Sequence, residues 1–192
     1  DLNHQLGILK RTKPIGKDEL FKDLLDESNV VFGPGTILVK TESLKKAIPD
    51  LDIYESREGQ NWQLMLPLAY CCSVGYLDEV LFKYVVHTDS HSHTKRTLEQ
   101  EYKRRDNFYK LQCETIDKIG TMQKNEKEYW KNYALTRSIL TKYRMAIYYH
   151  NFLESVKKQS ELKERGVKIL WKDGFLSHHF RIITRRIKEI VG

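Results

Sequence analysis

The amino-acid sequence predicts a mainly α protein with a few short strands, an α+β chain. Charged residues make up 31% of the 192 residues, which is typical of long helices with one solvated face. Only four prolines and ten glycines interrupt the chain, and 40% hydrophobic residues are sufficient for a buried core. Short apolar runs precede residue 95 and helical periodicity follows it, so we expect one region over residues 1–94 and a helical extension over residues 95–192.

The beginning of the first region is predicted to alternate helix and strand. Residues 17–27 carry apolar side chains at helical spacing and predict an amphipathic helix. The β-branched run at residues 36–40 follows a Gly-Pro-Gly turn and predicts a buried strand. Thr41 is the expected cap of a further short helix, which ends before Pro49.

Longer elements are predicted further along the chain. Residues 60–70 predict a buried helix with an internal proline that kinks it, and residues 75–86 predict two strands joined by a turn. Apolar residues at helical spacing then predict one helix over residues 94–119 and a second over residues 124–158. A final amphipathic helix is expected over residues 175–191.

The charge and the cysteine content indicate more about the environment of the protein than about its activity. The net charge of +7 is compatible with anionic partners, but the basic residues alternate with acids and indicate mainly solvated helix faces. Cys71, Cys72 and Cys113 form neither a CxxC pair nor an even disulfide framework, which favours a reducing compartment. The sequence contains no long apolar run and no signal-peptide hydrophobic region, so we expect a cytoplasmic protein.

Five segments occur in an order and spacing that resembles the distal catalytic segment of family-two nucleotide-sugar glycosyltransferases. They are residues 35–41, 44–46, 58–69, 75–79 and 84–92. In that family a loop leads to an acid at the start of a helix, and a strand pair leads to a serine-containing loop over the donor diphosphate. The resemblance covers about residues 17–93 and implies an incomplete GT-A-type α/β transferase fold followed by a helical C-terminal extension.

The resemblance implies an acceptor site at the start of the helix near residue 60. An inverting transfer needs a carboxylate to accept the proton of the acceptor hydroxyl, and a helix N-terminus favours its ionised form. The family has Glu-Asp where this chain has Gln60 and Asn61, whose amides cannot serve as that base. Glu58 is therefore the expected catalytic residue, unless it is an exposed or helix-capping acid. Gln60, Asn61 and Trp62 are expected to bind the acceptor, although Trp62 also fits a core position.

A loop rich in histidine and serine is the expected donor site. By the resemblance, His87, Ser90 and Ser92 contact the donor diphosphate. The three histidines of residues 87–93 also have the chemistry of metal ligands, but no known ligand motif accompanies them and we expect no metal in this chain. Asp50-Leu51-Asp52 has the letters of an Asp-x-Asp metal motif, yet it lies where the family has a linker.

The resemblance implies the C-terminal part of an enzyme that transfers a sugar from a nucleotide-sugar donor to a saccharide or lipid-linked acceptor in polysaccharide biosynthesis. The matched segments do not include the donor-binding half, so this chain is expected to be inactive alone. The full-length enzyme is expected to use a divalent metal, Mn or Mg, and to associate peripherally with the inner face of the membrane.

The main alternative is a non-catalytic basic helical module for interaction or nucleic-acid binding. Its phosphate contacts would come from Lys103, Arg104 and Arg105, or from Arg181, Arg185, Arg186 and Lys188. The sequence contains no recognised nucleic-acid motif, so the leading interpretation includes no nucleic acid. Steep salt dependence of nucleic-acid binding would favour the alternative, whereas affinity for anionic vesicles would favour the peripheral enzyme.

Overall fold

The computed structural model describes residues 19–28, 30, 35–56, 58, 61–77, 79–81, 96–170 and 174. Within these residues the regular structure consists of helices, without a strand. They are α1 (Glu19–Asp26), α2 (Thr41–Ala47), α3 (Trp62–Cys71), α4 (Leu98–Lys118), α5 (Lys124–Tyr148) and α6 (Phe152–Glu164). The mainly helical class is confirmed, and the GT-A-type fold stays a prediction. None of the described helices is long and apolar enough to cross a bilayer.

The described residues belong to two compact units. The first contains the described residues before position 95 together with residues 107–134, and the second contains residues 96–106 and the described residues from 135 onward. Helices α4 and α5 therefore each contribute one part of their length to each unit.

The core of the first unit is formed by α1, α3 and the parts of α4 and α5 that belong to it. The apolar positions predicted for α1 are all buried, because their spacing places them on one helix face. Trp62 and Leu66 of α3 are both fully buried in the same core. The core residues are Leu20, Phe21, Leu24, Leu25, Trp62, Leu66, Ala69, Phe108, Leu111, Ile116, Ile119, Met122 and Ala134.

The strand predicted at residues 36–40 is not formed. Residues 37–40 have no regular structure. The Leu38 side chain is 101% exposed, whereas Val39 packs against the small apolar cluster of Ala47, Ile48 and Leu68. Lys40, the last residue of this run, has an extended backbone, with φ −69° and ψ 134°. Among the described residues, however, no neighbouring strand pairs with this run. The described part of residues 75–86 also lacks a strand, and residues 78 and 82–86 lie outside the description.

Helix α2 forms where the sequence predicts it, but its cap differs. Lys40 occupies the N-cap position, and its side chain makes no capping hydrogen bond. The backbone N–H of Leu44 donates to the Lys40 carbonyl at 3.0 Å, which makes Thr41 the first helical residue. The prediction that Thr41 caps the helix is therefore wrong, because the extended backbone of Lys40 supplies the first acceptor one residue earlier.

The single helix predicted over residues 124–158 is divided into α5 and α6. His150 has a left-handed backbone, with φ 56°. The N–H of Asn151 donates to the Ala146 carbonyl at 2.8 Å, and the N–H of His150 donates to the Ile147 carbonyl at 3.0 Å. This pair of bonds is the Schellman arrangement that ends a helix. The prediction of one continuous helix is therefore wrong, and the predicted helix over residues 175–191 lies outside the described residues.

Asn151 then begins α6. Its side-chain oxygen accepts a hydrogen bond from the backbone N–H of Glu154 at 3.1 Å, which satisfies one of the unpaired donors of the first turn. We expect Asn151→Ala to lower the free energy of unfolding by about 1 kcal/mol in urea denaturation followed by circular dichroism. Gln159→Ala, which alters an exposed residue of the same helix, is the matched control. An equal loss in both variants would contradict the capping role.

The second unit has a core of its own, formed by Ile139, Tyr143, Ile147 and Leu162, with Val167 and Ile169 packed against it. Tyr102 of α4 lies within this unit. The Tyr102 hydroxyl donates to the Lys142 carbonyl at 3.2 Å.

The pKa of Tyr102 makes stability in this unit depend on pH. Burial raises this pKa to about 12, and the carboxylates of Glu154 and Glu161 add to the shift. Because the folded pKa lies above the ordinary value of 10.0, the contribution to stability is complete below pH 10 and is lost as pH rises through about 12.

We therefore expect the free energy of unfolding of the wild type to fall between pH 10 and 12. The free energy of unfolding of Tyr102→Phe should fall less over the same range. Urea denaturation at both pH values measures the difference. Tyr129→Phe, which changes an exposed tyrosine, should retain the wild-type decline. A Tyr102→Phe variant that loses as much stability as the wild type would contradict the assignment.

Candidate functional site

Glu58 precedes helix α3 in a loop that is tied to helix α4. Its backbone N–H donates to the Ser56 hydroxyl oxygen at 3.1 Å. Its carboxylate oxygen Oε1 accepts a hydrogen bond from the side-chain amide of Asn107 at 3.3 Å. The side chain is half-buried, so it is partly ordered and still reachable from solvent. Glu58 therefore combines a defined position with the accessibility that a reacting group needs.

Asn61 forms the junction between this loop and α3. Its backbone is left-handed, with φ 64°, a conformation that asparagine adopts more readily than most residues. The Asn61 carbonyl accepts hydrogen bonds from the N–H groups of Leu64 at 3.2 Å and Met65 at 2.9 Å, which starts the helix. The Asn61 side chain makes no capping hydrogen bond. The N-terminus of α3 therefore carries backbone donors that the Asn61 side chain does not satisfy.

Trp62, the first residue of α3, is a core residue. Its side chain is 0% exposed, and its ring packs edge-to-face on Phe108 with the centroids 5.2 Å apart. The indole N–H donates to the Leu24 carbonyl at 2.9 Å. A ring without exposed surface cannot stack on a sugar, so Trp62 has the core position that the sequence also allowed.

The structure thus brings Glu58, Asn61 and Trp62 together at the start of α3. Gln60, the remaining residue of the expected acceptor site, lies outside the described residues. The expected donor residues His87, Ser90 and Ser92 also lie outside them.

The described residues supply no evident metal centre. They contain no group of three or more histidine, cysteine, aspartate or glutamate residues that could hold an ion. Asp50 and Asp52 lie in an exposed turn after α2, where the Asp52 N–H donates to the Asp50 carboxylate at 3.2 Å. Leu51 between them has φ 55°. These two carboxylates therefore belong to a local turn.

A cleft of about 570 Å³ lies at the other end of α3. Sequence reasoning did not find it, because its residues come from four helices and the loop before α5. The lining residues are Phe21, Lys46, Ala69, Tyr70, Cys71, Thr121, Glu126 and Trp130. The cleft thus combines aromatic rings with a cation, a carboxylate, a thiol and a hydroxyl.

Glu126 is fixed by the residues around it. Its oxygen Oε2 accepts from the Tyr70 hydroxyl at 3.0 Å and from the Gln123 backbone N–H at 3.1 Å. Burial raises the pKa of Tyr70, and the hydrogen bond to Glu126 raises it further, so Tyr70 stays a donor at neutral pH. Across the cleft the Cys71 sulfur lies 3.3 Å from the Thr121 hydroxyl oxygen.

Aromatic rings form one wall of the cleft. The Phe21 ring centroid lies 5.0 Å from that of Trp130 and 5.9 Å from that of Tyr70, both edge-to-face. Tyr129, which is 61% exposed, packs edge-to-face on Trp130 with the centroids 5.0 Å apart. Trp130 is half-buried and is supported on two sides by other rings.

Comparison with known proteins adds no relative: no protein-family model matches the chain, and neither a curated protein nor a solved structure shows significant similarity to it.

Proposed function

We propose that this chain is the acceptor-side part of a glycosyltransferase that transfers a sugar from a nucleotide-sugar donor to a saccharide or lipid-linked acceptor in polysaccharide biosynthesis. The proposal rests on the resemblance of residues 17–93 to family-two GT-A enzymes. The structural observation that supports it best is Glu58, a half-buried carboxylate that Asn107 orients just before the N-terminus of a helix.

In this proposal Glu58 is the catalytic base. The acceptor hydroxyl oxygen attacks the anomeric carbon of the donor sugar, the bond from that carbon to the diphosphate breaks, and the hydroxyl proton passes to Glu58. Asn107 acts as a positioning residue, because its amide donates to one carboxylate oxygen and leaves the other for the proton.

The acceptor would be held by the residues next to the base. The side chains of Asn61 and Gln60 offer amide donors and acceptors that suit sugar hydroxyls. Trp62 supports the start of α3 from the core and does not contact the acceptor in this proposal. A base and hydrogen-bonding amides within four residues of one another would fix one acceptor hydroxyl for reaction.

For the donor, the proposal names only the residues that would contact the diphosphate. His87, Ser90 and Ser92 are proposed to contact the diphosphate, as in the resembling family. The expected Mn or Mg ion has no fitting ligand group among the described residues, so we assign it to the donor-binding half and derive no step through it. We place the enzyme in the cytoplasm, at the inner face of the membrane.

Sugar transfer by the complete gene product tests the proposal. The product of the full reading frame would be incubated with manganese, a panel of labelled nucleotide sugars, and saccharide or polyprenyl-phosphate acceptors. We expect release of the nucleoside diphosphate together with a labelled acceptor. A folded full-length protein that forms no product with any pair, and binds nucleic acid with steep salt dependence, would support the interaction module instead.

A further inference from the structure

We infer that the cleft at the C-terminal end of α3 is a second saccharide-binding site, distinct from the Glu58 site. Ala69, Tyr70 and Cys71 line it, whereas Glu58 precedes the first residue of the same ten-residue helix. At about 1.5 Å per residue, roughly 15 Å of helix separates the two places. One bound sugar ring cannot reach both, so this site goes beyond the proposed transfer reaction and needs neither the donor nor Glu58.

The aromatic wall suits one face of a pyranose ring. The C–H groups of a sugar pack on aromatic rings, and Trp130, whose indole is the largest of the ring systems that line the cleft, is the residue best suited to this contact. Phe21 and Tyr129 both hold Trp130 by edge-to-face contacts, so its orientation is set before a ligand arrives. A pre-ordered ring reduces the entropy that binding loses.

The polar groups suit the hydroxyls of the same ring. The two hydrogen bonds to Glu126 fall on Oε2, and no described residue donates to its other oxygen, Oε1. The indole N–H of Trp130 likewise has no acceptor among the described residues. Glu126 Oε1 is therefore available to accept from a ligand hydroxyl, and the Trp130 N–H is available to donate.

Lys46 indicates which saccharides the cleft would prefer. Its side chain is exposed, and no ion pair to it occurs within the described part of the chain. A purely apolar ligand would remove Glu126 from water without replacing its hydrogen bonds, and a phosphate, with a charge of about −2, would be repelled by that carboxylate more strongly than a singly charged uronate would. A sugar satisfies Glu126 through its hydroxyls, and a uronic-acid carboxylate would in addition pair with Lys46. We therefore assign the cleft to saccharides, with uronate-containing ones preferred.

Titration of this chain with neutral and uronate-containing oligosaccharides, followed by ligand-observed NMR, tests the assignment. We expect saturable binding with a dissociation constant on the order of 1 mM or below. Trp130→Ala and Glu126→Gln should each weaken binding about tenfold or more. Lys46→Met should remove the preference for uronates and leave neutral ligands unaffected. Tyr148→Ala, which truncates an exposed aromatic side chain outside the cleft, is the control that should bind as the wild type does.

Adjacent cysteines provide a second readout that does not depend on a destabilising variant. Cys71 lines the cleft. Cys72 is not among the lining residues, and its thiol donates to the Ser43 carbonyl at 3.6 Å. Bound oligosaccharide should slow alkylation of Cys71 and leave Cys72 unchanged, as measured by mass spectrometry. Absence of binding by the wild type up to about 10 mM, or equal protection of both thiols, would overturn the assignment. Because these measurements need neither a donor nor catalytic turnover, failure here and failure of the transfer proposal are distinguishable.

Discussion

Under the proposed function, Glu58→Gln in the full-length protein is expected to lower kcat about 10²- to 10⁴-fold while KM for donor and acceptor changes little. The glutamine keeps the size of the side chain and can still meet the amide of Asn107, but it cannot take up the hydroxyl proton. The measurement is the initial rate of product formation over a range of both substrates.

Two further variants separate catalysis from a general effect of charge. Glu55→Gln removes an exposed carboxylate three residues earlier in the same loop and should leave kcat unchanged. Asn107→Ala should lower kcat about tenfold and alter its dependence on pH, because it removes only the group that orients Glu58. A Glu58→Gln enzyme with wild-type kcat would contradict the assignment of the base.

Trp62→Ala is expected to cause the largest loss of stability, about 3–5 kcal/mol in the free energy of unfolding. The ring is fully buried against Phe108, and its indole N–H donates to the Leu24 carbonyl, so truncation leaves a cavity and an unpaired acceptor. Urea denaturation followed by circular dichroism measures the loss, and the shortened side chain should also lower expression of folded protein.

Trp62→Phe separates packing from hydrogen bonding. It retains most of the ring but loses the donor to the Leu24 carbonyl, so the loss should be smaller, about 1–3 kcal/mol. Tyr148→Ala, which truncates a 72% exposed aromatic, should change stability by no more than about 0.5 kcal/mol. If Trp62→Ala were as mild as Tyr148→Ala, the ring would not lie in the core.

Helices with a clear apolar face could be predicted from the sequence because burial and periodicity coincide in them. Helix α1 places Leu20, Phe21, Leu24 and Leu25 in the core at the predicted spacing. Helix α3 was predictable from its apolar content even though Pro67 lies inside it. In α3 the proline falls beyond the first turn, yet the apolar residues on both sides are buried and keep the segment helical.

The division between α5 and α6 could not be read from residue type. A left-handed residue at a helix end is usually glycine, whereas here His150 adopts it and the local sequence contains no glycine or proline. The strand prediction at residues 36–40 failed for a different reason. Extended geometry is a local property, but a strand also needs a partner, which the local sequence does not reveal.

Of the two candidate sites, one could be predicted from the sequence and the other could not. Glu58 and Asn61 lie within four residues of α3, so a short sequence pattern could place them at the start of a helix. The cleft at the C-terminal end of α3 depends on contacts between distant parts of the chain, such as Tyr70 with Glu126, which are 56 residues apart. At helical spacing, Tyr70 and Trp130 have the pattern of core residues, and only the fold shows that they also line a cleft.

The most direct test of the central claim is to determine the coding sequence immediately upstream of Asp1. An acceptor-side part predicts an in-frame stretch of about 100 residues with alternating strand and helix patterns. By the resemblance, this stretch would also contain an Asp-x-Asp motif. A start codon at or near Asp1 would contradict the account, because Glu58 would then have no donor-binding half to act with.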